Sequence, residues 1–105
     1  MKFYKLKMLT ITCEILARKN VIDILEKHKA SGYTVYEAEG NGSKGIRGKG
    51  FKNEKNVKIE AVLPDENLQD IAEEIARTLF SDYAIILYVT DVEVLRPEKF
   101  QQNTS

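Results

Sequence analysis

Apolar residues in this chain recur first with the spacing of a strand, then with that of a helix, then as a strand again, and the cycle runs twice. Residues 6–12 are rich in strand formers. From 17 to 30, Ala17, Val21, Ile22, Leu25 and Lys29 share one helical face, with Ile24 and His28 beside it. Ser31-Gly32 predicts the end of that helix, since glycine suits the position just past a C-terminus. Residues 33–38 form a second strand, with Tyr33, Val35 and Glu37 facing one way and Thr34, Tyr36 and Ala38 the other. In a third, 57–63, Val57, Ile59, Ala61 and Leu63 alternate with Lys58, Glu60 and Val62. Pro64-Asp65-Glu66 places acids in the first turn of a second helix. Leu68, Ile71, Ala72, Ile75, Ala76 and Leu79 then make the clearest amphipathic stripe. Residues 83–95 predict a long fourth strand, and Arg96-Pro97 closes regular structure.

The order βαββαβ with right-handed crossovers predicts an α+β, ferredoxin-like sandwich: an antiparallel four-stranded sheet with two helices on one face. At 105 residues the chain makes one domain, residues 1–97, with a flexible tail over 98–105. The fourth strand is apolar on both faces: Ala84, Ile86, Tyr88, Val92 and Val94 on one, Ile85, Leu87 and Val89 on the other. Two helices cover one face, so the other calls for a cover of its own, most simply another copy of the chain.

Between the second and third strands lies a segment of a different kind. Gly40, Gly42, Gly45, Gly48 and Gly50 are five of the six glycines, and Lys44, Arg47, Lys49, Lys52 and Lys55 surround them, with Glu54 as the one acid between Gly40 and Lys55. Glycines let backbone N–H groups turn towards a ligand, and the cations supply charge for phosphate or carboxylate. Composition alone leaves a surface hairpin loop and an anion site equally open; the length of the segment favours function.

Familiar chemistries fit poorly. Ile46 and Phe51 stand where a P-loop needs lysine, and the loop leads to a strand where a dinucleotide fingerprint leads to a helix. Lys49-Gly50-Phe51 begins like an RNA-binding signature, but Lys52, Asn53 and Glu54 remove its stacking platform. The stretch after the first strand, Thr12 to Arg18, has no glycine cradle for an acylphosphatase. Zero formal net charge argues against non-specific nucleic-acid binding. His28 reads as a solvated helix residue, Asp65, Glu66, Asp70, Glu73 and Glu74 as a helix's polar face, and Lys2, Lys5 and Lys7 as a solvated edge. No residue set has metal spacing and no nucleophile has a base. Cys13 is the only cysteine and reads as a small buried side chain in a reducing, cytoplasmic setting. No apolar run approaches the ~20 residues of a membrane span, and the N-terminus does not read as a signal peptide.

Several motifs in order carry a resemblance. Tyr33-Thr34-Val35, Gly40-x-Gly42-Ser43-Lys44 with Arg47, Val57 to Asp65, Ala72 to Ala76 and Phe80 to Ala84 together resemble the P-II signal-transduction superfamily, and its SbtB-type branch more than the nitrogen-regulatory one. The likeness covers residues 6–96. It implies a homotrimer with sheets inward, adenine nucleotides (AMP, ADP, cyclic AMP or ATP) in clefts between subunits, and a T-loop, here 41–56, that touches a target such as a bicarbonate or other membrane transporter. By position, Gly40 and Gly42 would give close backbone access, Ser43, Lys44 and Arg47 would hold phosphates, and Val62 would pack on adenine. Thr34 and the turn with Phe80, Asp82, Tyr83 and Ala84 would close the pocket from the neighbouring subunit, and Arg96 matches a phosphate-binding arginine.

The chain departs from the nitrogen branch in having no cation in the turn before strand four and Lys44 where that branch has a glutamine that helps hold magnesium and 2-oxoglutarate. Fewer phosphates are then easier to satisfy than Mg-ATP. The loop has no tyrosine to uridylylate, and residues 98–102 lack the cysteine of the SbtB-type redox loop. The expectation is a non-enzymatic regulator with no obligatory cofactor and an adenine nucleotide as effector. It would work in the cytoplasm, or at the inner-membrane periphery through a transporter, without inserting into the membrane. A small phosphohydrolase and a nucleotide-independent scaffold are the rival readings.

Overall fold

The structure, a computed structural model, describes residues 1–39 and 55–100. Four strands and two helices follow one another as β1 (Tyr4–Glu14), α1 (Arg18–Lys27), β2 (Thr34–Ala38), β3 (Asn56–Leu63), α2 (Asp65–Leu79) and β4 (Ile85–Val94). The sheet order is β2-β3-β1-β4, every neighbour antiparallel, which is the expected ferredoxin-like arrangement. β1 is longer at both ends than its strand-forming residues suggest, because β4 pairs it from Tyr4 and β3 pairs it out to Glu14. A 3-10 turn, Ile15–Ala17, leads into α1. Another, Pro97–Phe100, carries regular structure past Arg96 into the expected tail.

One face of the sheet is closed. Leu9, Ile11 and Cys13 of β1 and Val57, Ile59, Ala61 and Leu63 of β3 are at most 2% exposed. They meet Ala17, Val21, Ile24 and Leu25 from the first crossover and Leu68, Ile71, Ile75 and Leu79 from α2, so most of each predicted stripe is core, while Lys29 and Ala76 are exposed. Burial pushes the Cys13 thiol up to about 11, which leaves it protonated and inert at neutral pH.

Three local expectations fail, the first at the end of α1 itself and the other two through partners on distant elements. The chain leaves α1 not at Gly32 but at Lys29, whose φ is 59°. The N–H groups of His28, Lys29 and Ala30 cap the carbonyls of Ile24, Glu26 and Leu25. A methyl group added at Gly32 would meet nothing within 4 Å. His28 is not solvated: its Nε2 lies 2.7 Å from Glu74 Oε1 on α2, while Lys27 Nζ donates to Glu74 Oε2 at 2.9 Å. These two bonds hold the Glu74 carboxyl below the usual range. Lys7, expected at a solvated edge, pairs with Asp91 of β4.

The other face has no cover among the described residues. Ile86 is 66% exposed and Tyr88 45%. Tyr36, Lys58, Glu60 and Thr10 share this face by register.

Candidate functional site

The expected ligand residues that the structure describes fall at two opposite ends of the sheet. At one end the glycine-rich segment leaves β2 after Ala38 and returns at Asn56, and these two are cross-strand partners. Asn56, placed in the loop by the sequence pattern, is thus the first residue of β3. Asn56 also faces Glu14, the last residue of β1, and the next N–H, that of Ile15, donates to Lys55 O at 3.2 Å. The Phe80–Ala84 turn lies at this same end. The N–H groups of Asp82 and Tyr83 both donate to Leu79 O at 3.1 Å, and Asn20 Nδ2 donates to the Tyr83 hydroxyl at 3.3 Å. Ala84 is clasped from both sides: its N–H donates to Glu14 Oε2 at 2.7 Å and its carbonyl accepts the Glu14 N–H at 3.2 Å. Gly40, Gly42, Ser43, Lys44 and Arg47 lie outside the described residues.

Thr34, Val62 and Arg96 lie towards the other end. Thr34 opposes Glu60, Val62 opposes Met8, and Arg96 follows β4, whose Val94 opposes Tyr4. Arg96 is exposed, its Nε 3.6 Å from Glu98 Oε2. The pattern alone did not single out Glu60, because alternation makes it one more charge on the polar side of β3. It sits between Thr34 and Val62 on the open face and accepts the Tyr36 hydroxyl at 2.8 Å. That bond raises the Tyr36 pKa, and the neighbouring Tyr88 hydroxyl raises that of Lys58. Thr10, opposite both Glu60 and Tyr88, is buried in the same row.

At about 3.3 Å per residue, Asn56 and Val62 are about 20 Å apart along β3. Within a single chain the Phe80–Ala84 turn therefore does not meet Val62. Within one chain the Phe80–Ala84 turn lies at the end of the sheet where residues 38 and 56 pair, and Thr34 lies towards the other end. Two surface depressions, of about 410 Å³ beside Lys7, Asp65 and Asp91 and about 540 Å³ beside Leu16, Arg18 and Tyr36, contain none of the expected ligand residues. Among the described residues no group of three or more His, Cys, Asp or Glu is placed to hold a metal.

The family model for "Nitrogen regulatory protein P-II" matches residues 6–99. The chain belongs to the P-II family. The family is one of regulators and not of enzymes, which agrees with the absence of a nucleophile–base pair from the sequence reading. Solved structures agree in fold over nearly the whole length. CPII from Thiomonas intermedia K12 bound to ADP, AMP and acetate has a TM-score of 0.84 at 27% identity, covering 97% of this chain and all (100%) of that one. The same protein bound to ADP, AMP and bicarbonate gives 0.81 at 30%, covering 96% and 98%. A protein assigned as PII-like signaling from Thermus thermophilus gives 0.78 at 34%, covering 95% and 99%. Among the described residues no helix is long and apolar enough to cross a membrane.

Proposed function

We propose that the protein is a homotrimeric adenine-nucleotide sensor whose ligand lies between copies, as the SbtB-like resemblance implies. The loop end of one subunit, with the Phe80–Ala84 turn, meets the Thr34, Glu60, Val62 and Arg96 end of the next. The observation that carries the proposal is the separation of these groups to opposite ends of one sheet. The open face, with Ile86 and Tyr88 exposed, supports assembly with sheets inward.

Each group suits one part of a nucleotide. Val62 offers apolar contact to a purine, and Thr34 and Glu60 offer polar partners for its edge. Lys44, Arg47 and Arg96 neutralise phosphates through charge-assisted hydrogen bonds. Differential binding then biases the 41–56 loop towards the conformation that grips phosphate, and a target protein reads that conformation. The ADP, AMP and bicarbonate named with the related CPII support an adenine mono- or diphosphate as first effector. The acetate and bicarbonate named with CPII also suggest a small oxyanion as second effector, and the resemblance suggests a cytoplasmic role beside a bicarbonate or other transporter.

Calorimetry with AMP, ADP, ATP and cyclic AMP, paired with sedimentation, tests this. The expected result is a trimer that binds at least one of them, with a melting point that rises with ligand. Saturation at 100 times Kd adds about 2.7 kcal/mol. A folded protein that sediments as single chains, or gives no heat with any of the four, overturns the proposal.

A further inference from the structure

The sheet ends in an open edge at β2. Among the described residues β2 has a neighbour on one side only. Alternate backbone N–H and C=O groups of such a strand point away from its partner and can pair with a further strand. Proline, lysine and bulges guard many edges against this. Thr34–Ala38 contains neither proline nor lysine and pairs with β3 in unbroken register. A groove of about 540 Å³ follows the edge. Val35, Tyr36 and Glu37 all line it, and successive side chains of a strand point to opposite faces, so the groove runs along the backbone and not over one face.

The rest of the lining includes the corner between β1 and α1, where Leu16 is 72% exposed and offers apolar contact. Arg18 and Lys19 line the groove too, in the first turn of α1. Cations there oppose the helix dipole, which favours acids, and this turn has neither an acid nor a side-chain cap. The two residues therefore weaken the helix locally while setting positive potential beside the groove. Lys19 meets Asp23 at 3.0 Å, whereas Arg18 has no ion pair among the described residues. Glu37, the one acid in the lining, lies 3.7 Å from Lys55.

We infer that the groove is a docking site for an extended, acidic segment of a partner protein, which adds a strand to β2. The segment's backbone bonds to the outward groups of β2. An apolar side chain rests against Leu16 and Val35, and a carboxylate two residues along, on the same strand face, meets Arg18 or Lys19. A folded surface fits less well, because only an exposed backbone can use the open edge. The site needs no nucleotide and is independent of the reading above.

A capped peptide with valine and glutamate on one strand face and threonine on the other tests this, titrated into the isotope-labelled full-length protein and followed by NMR. Shifts should map to β2 and the Leu16–Lys19 corner, and exchange should slow at the β2 amides that do not bond to β3. Lysine in place of glutamate should weaken the peptide about tenfold. Arg18→Glu should weaken the glutamate peptide about tenfold and strengthen the lysine peptide. Its melting temperature should stay at or above the parent's, since an acid suits the first helical turn. Leu16→Asp, at an exposed position, should also fold and lose the glutamate peptide. The inference is overturned if neither peptide shifts any β2 resonance, if both bind alike, or if Arg18→Glu still prefers the glutamate peptide. Shifts centred on Ile86 and Tyr88 overturn it as well and move the contact to the open face. Each of these outcomes leaves the nucleotide reading untouched.

Discussion

β3 faces two different environments along one backbone. Towards the helices it presents Val57, Ile59, Ala61 and Leu63, each at most 2% exposed. Towards the open side it presents Lys58, Glu60 and Val62, all half-buried. The first set is held by apolar packing with no polar atom to satisfy. The second is a lattice of side-chain bonds, Tyr36 to Glu60 and Lys58 beside Tyr88, with apolar neighbours at its ends. A face that only closes a domain is dry and uniform, whereas one that meets another copy and a ligand keeps polar groups at defined places. Stability should therefore reside on the helical side, and assembly and ligand choice on the open side.

The sharpest way to break that division is to exchange the damage. Ile71→Ala, in the centre of the α2 stripe, should cost about 2–5 kcal/mol in a denaturant titration, through lost burial and a cavity that cannot collapse. Ile86→Asp, on the open face, should leave the unfolding free energy of an isolated chain within about 0.5 kcal/mol of the parent. In sedimentation it should convert the assembly to single chains, because a carboxylate would have to be desolvated in the interface. If Ile86→Asp still assembles, the open face is not the interface.

Glu74 tests whether the helices need more than apolar packing. Its folded pKa is depressed by His28 and Lys27. Its contribution is therefore fully present above the unfolded value of about 4.3 and is lost as pH falls through the lower folded value. Glu74→Gln should lower the melting temperature at pH 7 and flatten its decline below about pH 4. A variant whose melting temperature falls with acid as steeply as the wild type would show that the α1–α2 carboxylate contributes nothing to acid sensitivity.

These residues also mark what could be read from the chain. The βαββαβ order, both helical stripes and the two-faced β4 follow from spacing, since each is set by which side of one element faces apolar surroundings. His28 was misread because its partner Glu74 is 46 residues away, and no local pattern announces a bond between helices. Glu60 and Glu14 escaped for a related reason. Alternation marks a charged residue as outward-facing, and only the register showed that Glu60 lies between Thr34 and Val62, or that Glu14 meets Ala84. The motif residues were named individually, but their division between two ends of the sheet needed the strand pairing. The loop residues Gly40 to Arg47 rest on sequence alone.

On the open face, Tyr36→Phe sharpens the comparison without disturbing packing. The hydroxyl fixes one oxygen of Glu60 and leaves the other, without a partner among the described residues, free to accept an exocyclic amine. Removing it should leave the melting temperature near the parent's and reduce preference for ADP over the hypoxanthine analogue by up to roughly tenfold, the scale of one hydrogen bond. Equal loss of affinity for both bases would assign Tyr36 to assembly and not to base choice.

The smallest effect is expected at Lys7 and Asp91, an ion pair at the sheet's end in which Asp91 is 83% exposed. Lys7 depresses the Asp91 pKa, and Asp91 raises that of Lys7. The first contribution is lost as pH falls below the ordinary carboxylate range, the second as pH rises above the ordinary lysine range, so the pair acts between about pH 4 and pH 10. Water and salt screen it throughout that window. Asp91→Asn should lower the melting temperature only slightly at low ionic strength, and not at all in 1 M salt, where the Debye length is about 3 Å. Glu74 has a side chain only 13% exposed, so the loss caused by Glu74→Gln should largely survive the same salt. If salt erases both losses alike, burial does not separate these two pairs, and the polar contact between the helices is no more than a surface pair.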